Sequence, residues 1–504
     1  GVSARRERRL ALLLGCTVAL GLTILQRGHF LSGDEIGVFF QTRSIATSGT
    51  LAIPRLANSY RGRDGRIYSQ YTIGQSLLAV PFFQIAHIAE GWLPERARAA
   101  IAGPPTVLLG KPYPIGFEMF GVGLYGPAAT GVLAGLFFLF ERRLGATAGA
   151  AAAASLLLAG CTYAATMSAT FLQHTTETIW VLAALSFWHR FRSDGRRSDL
   201  LFGSMFAATL PHIRLPASIV IPALGGYLLF VLWERWRRRG DAIDVRSLAL
   251  RVALPAALSL AAYVLVNALK WGDWFESPML RERRGMGVDW SRSLVGFLVS
   301  PGMSVFVYSP LLLLAPWSFR SLLRRHRAEA WTILAAVASS LAFYCSYERW
   351  TGLWAAPGPR YLFTSTVLLM LALGPWLDVA RGSATRAAVA LLAVAGAFVQ
   401  IVTGVIGWGP LIEAEGWETW QPRFGFVFEL GASPLVAAIR ALGDPELLDL
   451  FVVRVARGWP GSPPAPAAAL AIAGTWLAGT AWLGLRLRRA LARAEREPAS
   501  DLPT

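Results

Sequence analysis

Two adjacent carboxylates, Asp34 and Glu35, stand in the stretch F-L-S-G-D-E-I-G-V-F-F, a few residues beyond the first long apolar segment. Ionised groups at the edge of the hydrocarbon are costly and usually functional, so one of the two is a candidate general base. Arg360, in P-G-P-R-Y, is a candidate phosphate-binding cation: a guanidinium can grip two oxygens at once, and Pro357 and Pro359 stiffen its approach. Lys270 is a second cation for the same task. His174 and Glu177, three apart at a predicted helix start, are candidates to position an acceptor or, with Asp34 or Glu35, to share a divalent cation. Tyr68, Tyr71 and Gln75 offer the aromatic and amide groups of a sugar pocket.

Each of these has a plainer alternative. Asp34 and Glu35 also fit a helix N-cap with a first-turn acid, favoured by the helix dipole. Arg360 fits a snorkelling flank, and Glu177 another first-turn acid. Lys270, with Arg281, Arg283 and Arg284, fits a solvated basic face, and the tyrosines fit interfacial anchors. Two ligand-type side chains do not by themselves make a metal site, so metal dependence is open at this point.

What must position these residues is a membrane-embedded scaffold. The 504 residues are 54% hydrophobic and 16% charged, with repeated apolar runs of about 17 to 25 residues, the length of a bilayer-spanning helix. The net charge of +17 sits in arginine clusters just after apolar runs, as topology determinants do, which argues against nucleic acid as a partner. Cys16, Cys161 and Cys345 lie in apolar contexts without metal-ligand spacing, and no disulfide framework is implied. The opening R-R-E-R-R and L-A-L-L-L-G-C imitate a secretory signal. Only about five apolar residues precede the cysteine, too few for the core of such a signal, so the segment reads as an uncleaved first helix.

The expected fold is an all-α integral membrane protein of about 12 transmembrane helices, with juxtamembrane helices in a long first outer loop. Arg5, Arg6, Arg8 and Arg9 keep the N-terminus cytoplasmic, so Asp34 and Glu35 emerge outside. The chain divides into a catalytic core over 1–406 that includes the outer loop 27–116, an outer segment 407–465, and a last helix with a basic cytoplasmic tail, 466–504. Within the first loop, 35–48 is predicted to lie along the interface and Asp64-Gly65 to form a hairpin turn. Gly74 to Ile88, interrupted by Pro81, is predicted as a juxtamembrane or re-entrant helix.

An outward-facing carboxylate at membrane depth, with cations on neighbouring outer loops, suits sugar transfer from a lipid-phosphate carrier. The base takes a proton from an acceptor hydroxyl, the hydroxyl attacks the anomeric carbon, and lipid phosphate leaves. Phosphate leaves without protonation, so one carboxylate suffices where a glycoside hydrolase needs two.

The G-D-E after the first helix, the long first outer loop and the second outer acid after the third helix together resemble the glycosyltransferase C superfamily. That superfamily includes the protein O-mannosyltransferases and the lipid A aminoarabinose transferases. The strings S-P-G-M-S-V-F-V-Y-S-P-L-L-L-L and W-T-G-L-W-A-A-P-G-P-R-Y-L resemble a bacterial branch of polyprenyl-phosphate-sugar transferases. The resemblance implies a bacterial cytoplasmic membrane enzyme with a polyprenyl-phosphate sugar donor and a lipid, glycan or protein acceptor. It casts Asp34 or Glu35 as the base, and Glu177 as the second acid that positions the acceptor or a metal. Relatives often carry an aspartate where this chain has Gln173, His174 and Glu177, and residues from about 410 onward match nothing in the family. Two alternatives are a lipid-linked sugar transporter or flippase, and a glycan ligase or polymerase using a lipid diphosphate. The first needs charges at the bilayer midplane, where these helices carry almost none, and the second needs several clustered basic residues.

Overall fold

The computed structural model describes all residues other than 1, 31, 57, 96–105, 109–110, 114–116, 240–243, 276, 279–285, 288, 354, 381, 418–424, 459–463 and 497–504. Arg281, Arg283 and Arg284 of the predicted basic face lie outside the described residues. The chain is helical, with two short antiparallel hairpins, Ser59–Arg61 against Ile67–Ser69 and Thr106–Leu108 against Lys111–Tyr113.

Eight helical segments among the described residues are long and apolar enough to cross a membrane, against the twelve or so expected. They are Ala4–Leu25, Phe117–Arg143, Leu215–Arg238, Val245–Trp271, Arg327–Cys345, Arg360–Val379, Ser383–Val405 and Pro466–Glu495. The remaining predicted spans are helical too, and fall short of that standard by length or by composition. Ala148–Cys161 has 14 residues; His174–Asp194 and Arg197–Ile213 carry charged and polar residues at their ends. The span expected near 303–319 is interrupted at Pro310, which has no backbone donor to continue the preceding turn, and becomes Val305–Tyr308, Pro310–Leu314 and Ala315–Arg325.

The first helix, Val2–Leu22, lies backbone to backbone on Tyr125–Arg143. A Cβ on Gly15 would sit 2.8 Å from the Gly131 carbonyl oxygen, so the crossing needs glycine, as small-residue contacts between membrane helices do. The chain then enters the helix Gly33–Ser48, whose first half is buried within the protein. Ile36, Val38, Phe39, Phe40, Gln41 and Thr42 are all buried, because the I-G-V-F-F run is apolar around the helix rather than along one stripe. Phe30 stacks on Phe171 at 5.3 Å, and Phe39 packs on Phe83 at 6.4 Å between ring centres. These contacts lock the acidic stretch to two other parts of the chain.

The predicted turn is found: the Gly62 amide donates to the Arg66 carbonyl across Asp64-Gly65 at 2.7 Å. Gly74–Trp92 runs through Pro81 as one helix and turns Leu77, Ile85, Ile88 and Trp92 outward. Phe451–Arg457, in the outer segment for which the sequence offered no role, begins against the turn that precedes the acidic stretch. The Phe451 amide donates to the Gln26 carbonyl at 2.7 Å, and its ring stacks on Phe120 at 4.3 Å.

Candidate active site

The N-cap of the helix Gly33–Ser48 is Ser32, not Asp34. Its hydroxyl accepts from the Glu35 amide, and Glu35 Oε2 accepts in return from the Ser32 amide (3.1 Å) and hydroxyl (2.9 Å), a reciprocal capping box. Glu35 Oε1 accepts from the Phe171 amide at 2.8 Å, and the residue is 3% exposed. Burial pushes the Glu35 carboxyl up, with the hydrogen bonds from Phe171 and Ser32 working against that rise. Glu35 thus has the geometry of a first-turn capping acid.

Asp34, one residue earlier, points a different way. Its Oδ1 accepts from Asn58 Nδ2 at 3.0 Å and from the Tyr71 hydroxyl. Burial first, then the charge and hydrogen bond of Asp34, push the Tyr71 phenol well above its ordinary range, so Tyr71 is a proton donor in that pair. Oδ2 faces Arg360, with Nη1 and Nη2 each at 3.4 Å, beyond the usual length of a charged hydrogen bond. The Asp34 side chain keeps 15% of its surface exposed.

Arg360 is held by the loop that precedes it. Gly358 has φ +86, and a Cβ there would fall 2.6 Å from the Tyr308 ring; Gly352 has φ +60 and would bring a Cβ 2.5 Å from Arg360 Nε. Both positions need glycine for conformation and for room. The Tyr163 hydroxyl donates to the Pro357 carbonyl, which fixes the same loop from another helix. Arg360 is 2% exposed and also donates to the Tyr361 hydroxyl at 3.3 Å.

A second acid and arginine pair adjoins the first. Arg214 Nη1 donates to Glu177 Oε2 at 2.9 Å and to the Tyr344 hydroxyl at 2.6 Å, while Glu177 Oε1 accepts from Thr364 at 3.0 Å. Tyr344 and Tyr361 stack at 4.7 Å, nearly parallel, and the Arg214 guanidinium lies 5.6 Å from each ring centre. The stacked tyrosines thus join the Arg214 and Arg360 sides. His174 lies 6.0 Å from the Tyr361 ring, is 4% exposed, and has no hydrogen-bond partner for either ring nitrogen among the described residues.

The structure brings together Asp34, Tyr71, Arg360, Glu177 and His174 of the predicted residues. It engages the others elsewhere. Tyr68 donates to Asp64 at 2.6 Å and packs edge-on against Trp271. Gln75 is fully buried, donating to the Phe171 carbonyl at 2.6 Å and accepting from Thr176 at 2.9 Å. Lys270 is 2% exposed and donates to the Ser69 (2.5 Å) and Tyr71 (2.9 Å) carbonyls. It therefore ties down the segment just after the strand Ile67–Ser69, where Tyr71 lies, since a buried ammonium needs acceptors close by. No group of three or more His, Cys, Asp or Glu side chains gathers around a common point among the described residues. Glu177 and Glu35 each engage both carboxylate oxygens with protein donors.

Arg214, Asn58, Tyr344 and Thr364 complete the site without having been singled out from the sequence. Arg214 carried a signal: P-H-I-R-L-P sets it between prolines at a helix turn, as P-G-P-R-Y sets Arg360. The other three are ordinary polar residues whose role comes only from tertiary contact.

No protein-family model and no curated protein matches the chain. Solved structures do. The apo crystal structure of ArnT from Cupriavidus metallidurans matches 96% of this chain and 77% of its own, at 15% identity and a TM-score of 0.50. ArnT bound to undecaprenyl phosphate matches 95% and 77%, at 15% identity and 0.48. The apo oligosaccharyltransferase of Archaeoglobus fulgidus matches 81% of this chain and 57% of its own, at 14% identity and 0.44. At this identity the first of these likenesses speaks for the fold.

Proposed function

We propose that this chain, which has the membrane fold of ArnT and with it that of the glycosyltransferase C superfamily, moves a monosaccharide from a polyprenyl-phosphate carrier to an acceptor hydroxyl on the extracytoplasmic face. The carrier class is the one with which ArnT has been crystallised. The observation that carries the reading is the Asp34 carboxylate: partly exposed, oriented at one oxygen by Tyr71 and Asn58, and loosely faced at the other by a buried arginine.

Asp34 Oδ2 accepts the proton of the acceptor hydroxyl. The freed oxygen attacks the anomeric carbon as the bond from that carbon to phosphate breaks on the opposite face, which inverts the configuration. The departing phosphate carries the charge away, and Arg360, with two N–H groups turned toward Oδ2, supplies the cation for it. Tyr71 and Asn58 hold Asp34 so that one oxygen stays available, which is the orientation a base needs. Glu177 holds Arg214 and the stacked tyrosines in place, and the two unengaged nitrogens of buried His174 suit an acceptor hydroxyl. Neutral imidazole both donates and accepts, as such a contact requires.

Purified protein supplied with a panel of radiolabelled polyprenyl-phosphate sugars tests the reading. Transfer to an acceptor with inverted anomeric configuration is expected. Vectorial movement of an intact lipid-linked sugar without bond cleavage, or turnover only with lipid-diphosphate glycans, contradicts it.

A further inference from the structure

Gln173 and His174 stand where the helix His174–Asp194 begins, beside the acid and arginine pairs of the site. The Glu177 amide donates to the Gln173 carbonyl at 2.9 Å, so the helical repeat already holds at Gln173. Spacings of three and four then set Gln173, His174, Glu177 and Thr178 along one face. That face meets the site: Glu177 binds Arg214 and Thr364, Thr178 shares a hydrogen bond with the Thr364 hydroxyl at 2.9 Å, and His174 lies 6.0 Å from the Tyr361 ring. Two of the four bind nothing. Gln173 is 7% and His174 4% exposed, yet Gln173 Nε2 and both His174 ring nitrogens hydrogen-bond to no described residue. Buried polar groups are costly when unmet, and two adjacent ones on the face that lines a site point to a ligand that meets them.

We infer that the acceptor is an uncharged saccharide, with ring hydroxyls beside the reacting one held by Gln173 and His174. The inference rests on the glycosyl-transfer reading above and narrows its acceptor. The charges of the site are matched among themselves: Asp34 faces Arg360, which is assigned to the carrier phosphate, and Glu177 holds Arg214 at 2.9 Å. A carboxylate, phosphate or amine on the acceptor would have to break one of these pairs. What is left to recognise the acceptor is neutral: an amide donor, and an imidazole that offers one donor and one acceptor. A hydroxyl both donates and accepts, so neighbouring ring hydroxyls satisfy this set in either tautomer of His174. A peptide Ser or Thr brings one hydroxyl where the set has room for more, and a phospholipid headgroup brings charge.

The test uses the full chain in detergent without donor, and saturation-transfer NMR with neutral methyl hexosides and pentosides, a methyl glucuronide, a methyl glucosaminide and a capped Ser/Thr peptide. Binding is expected within the neutral set, at least about fivefold tighter than for the charged glycosides and the peptide. Gln173→Leu and His174→Phe remove the polar atoms and keep most of the volume; each is expected to weaken that binding at least about fivefold, the worth of a hydrogen bond or more. His174→Asn, which keeps a donor and an acceptor, should lose less. Melting temperatures of the two apolar variants should equal or exceed wild type, because an unmet buried polar group has been removed, whereas a structural role predicts a fall. The two variants are separate proteins, which covers one that fails to fold. Asp34→Asn should bind within about threefold of wild type, so a failure of Asp34 as base, seen in turnover, is read apart from a failure here. Silence across the neutral set, equal or tighter binding of a charged glycoside or the peptide, or undiminished binding in both apolar variants overturns the inference.

Discussion

Asp34 and Asp449 are both aspartates faced by arginine, and their surroundings differ in ways that separate chemistry from architecture. Asp449 is 2% exposed; its Oδ1 meets His29 Nε2 at 2.9 Å and Arg454 Nε at 2.7 Å, and Arg27 lies 3.8 Å from Oδ2. Burial alone would raise its carboxyl, but His29, Arg454 and Arg27 together hold it well below the usual carboxylate range. Asp34 keeps part of its side chain open, and its arginine stands off at 3.4 Å. A sealed ion cluster holds chain to chain, here residues 449–454 to the turn that leads into the acidic helix. A half-open carboxylate with one lightly engaged oxygen can exchange that contact for a substrate.

The sharpest break of this comparison comes from neutralising each aspartate. Asp34→Asn is expected to lower kcat by about a hundredfold to ten-thousandfold while leaving thermal unfolding near wild type, since amide for carboxylate keeps the shape and removes the base. Asp449→Ala is expected to do the reverse: a loss of about 3–5 kcal/mol in stability, from buried arginine left uncompensated, with kcat per folded molecule little changed. Thermal scans beside activity assays on the same preparations separate the two outcomes.

Arg360→Ala tests the open pair from its other side. An apparent donor KM raised by about tenfold to a hundredfold is expected, the worth of a charge-assisted contact, with partial recovery in Arg360→Lys. An unchanged KM would return Arg360 to the role of a membrane flank.

The sealed cluster makes a pH prediction whose sign follows from its depressed carboxyl. The folded state holds Asp449 ionised more firmly than the unfolded state does, so its stabilisation is complete above the ordinary aspartate value of about 4 and is lost as pH falls below it. Acid should therefore lower the melting temperature of wild type more steeply than that of Asp449→Ala. Equal slopes would remove Asp449 from the acid response.

The smallest effect is expected at Glu35. Glu35→Gln keeps an oxygen that accepts from Ser32 but turns its NH2 toward the buried Phe171 amide, so it should cost about 1–3 kcal/mol of stability with activity per folded molecule within a few-fold of wild type.

The sequence made much of this legible and left specific parts hidden. The acidic pair, the long loop with its hairpin turn and P-G-P-R-Y were readable because each rests on local chemistry: charge beside an apolar run, a turn-forming dipeptide, prolines bracketing a cation. The difference in setting between Asp34 and Glu35 was not, since it depends on Phe171, which lies more than a hundred residues away and whose amide closes over Glu35. Eight of the expected spans are long and apolar enough among the described residues, and the others are shorter, more polar or, at Pro310, interrupted, which hydropathy alone does not resolve. Where Tyr68, Gln75 and Lys270 turn was not readable either: Tyr68 donates to Asp64, and buried Gln75 and Lys270 donate to carbonyls that only the fold brings into reach. Asp449 escaped notice because His29, Arg27 and Arg454 come to it only through the fold.

The central claim is that Asp34, and not its neighbour, takes the acceptor's proton. Single-turnover transfer from a polyprenyl-phosphate sugar, measured side by side for wild type, Asp34→Asn and Glu35→Gln, tests it most directly. The account predicts a chemical step slowed by at least about a hundredfold in Asp34→Asn and nearly unchanged in Glu35→Gln. A normal rate in Asp34→Asn, or the larger loss in Glu35→Gln, contradicts it.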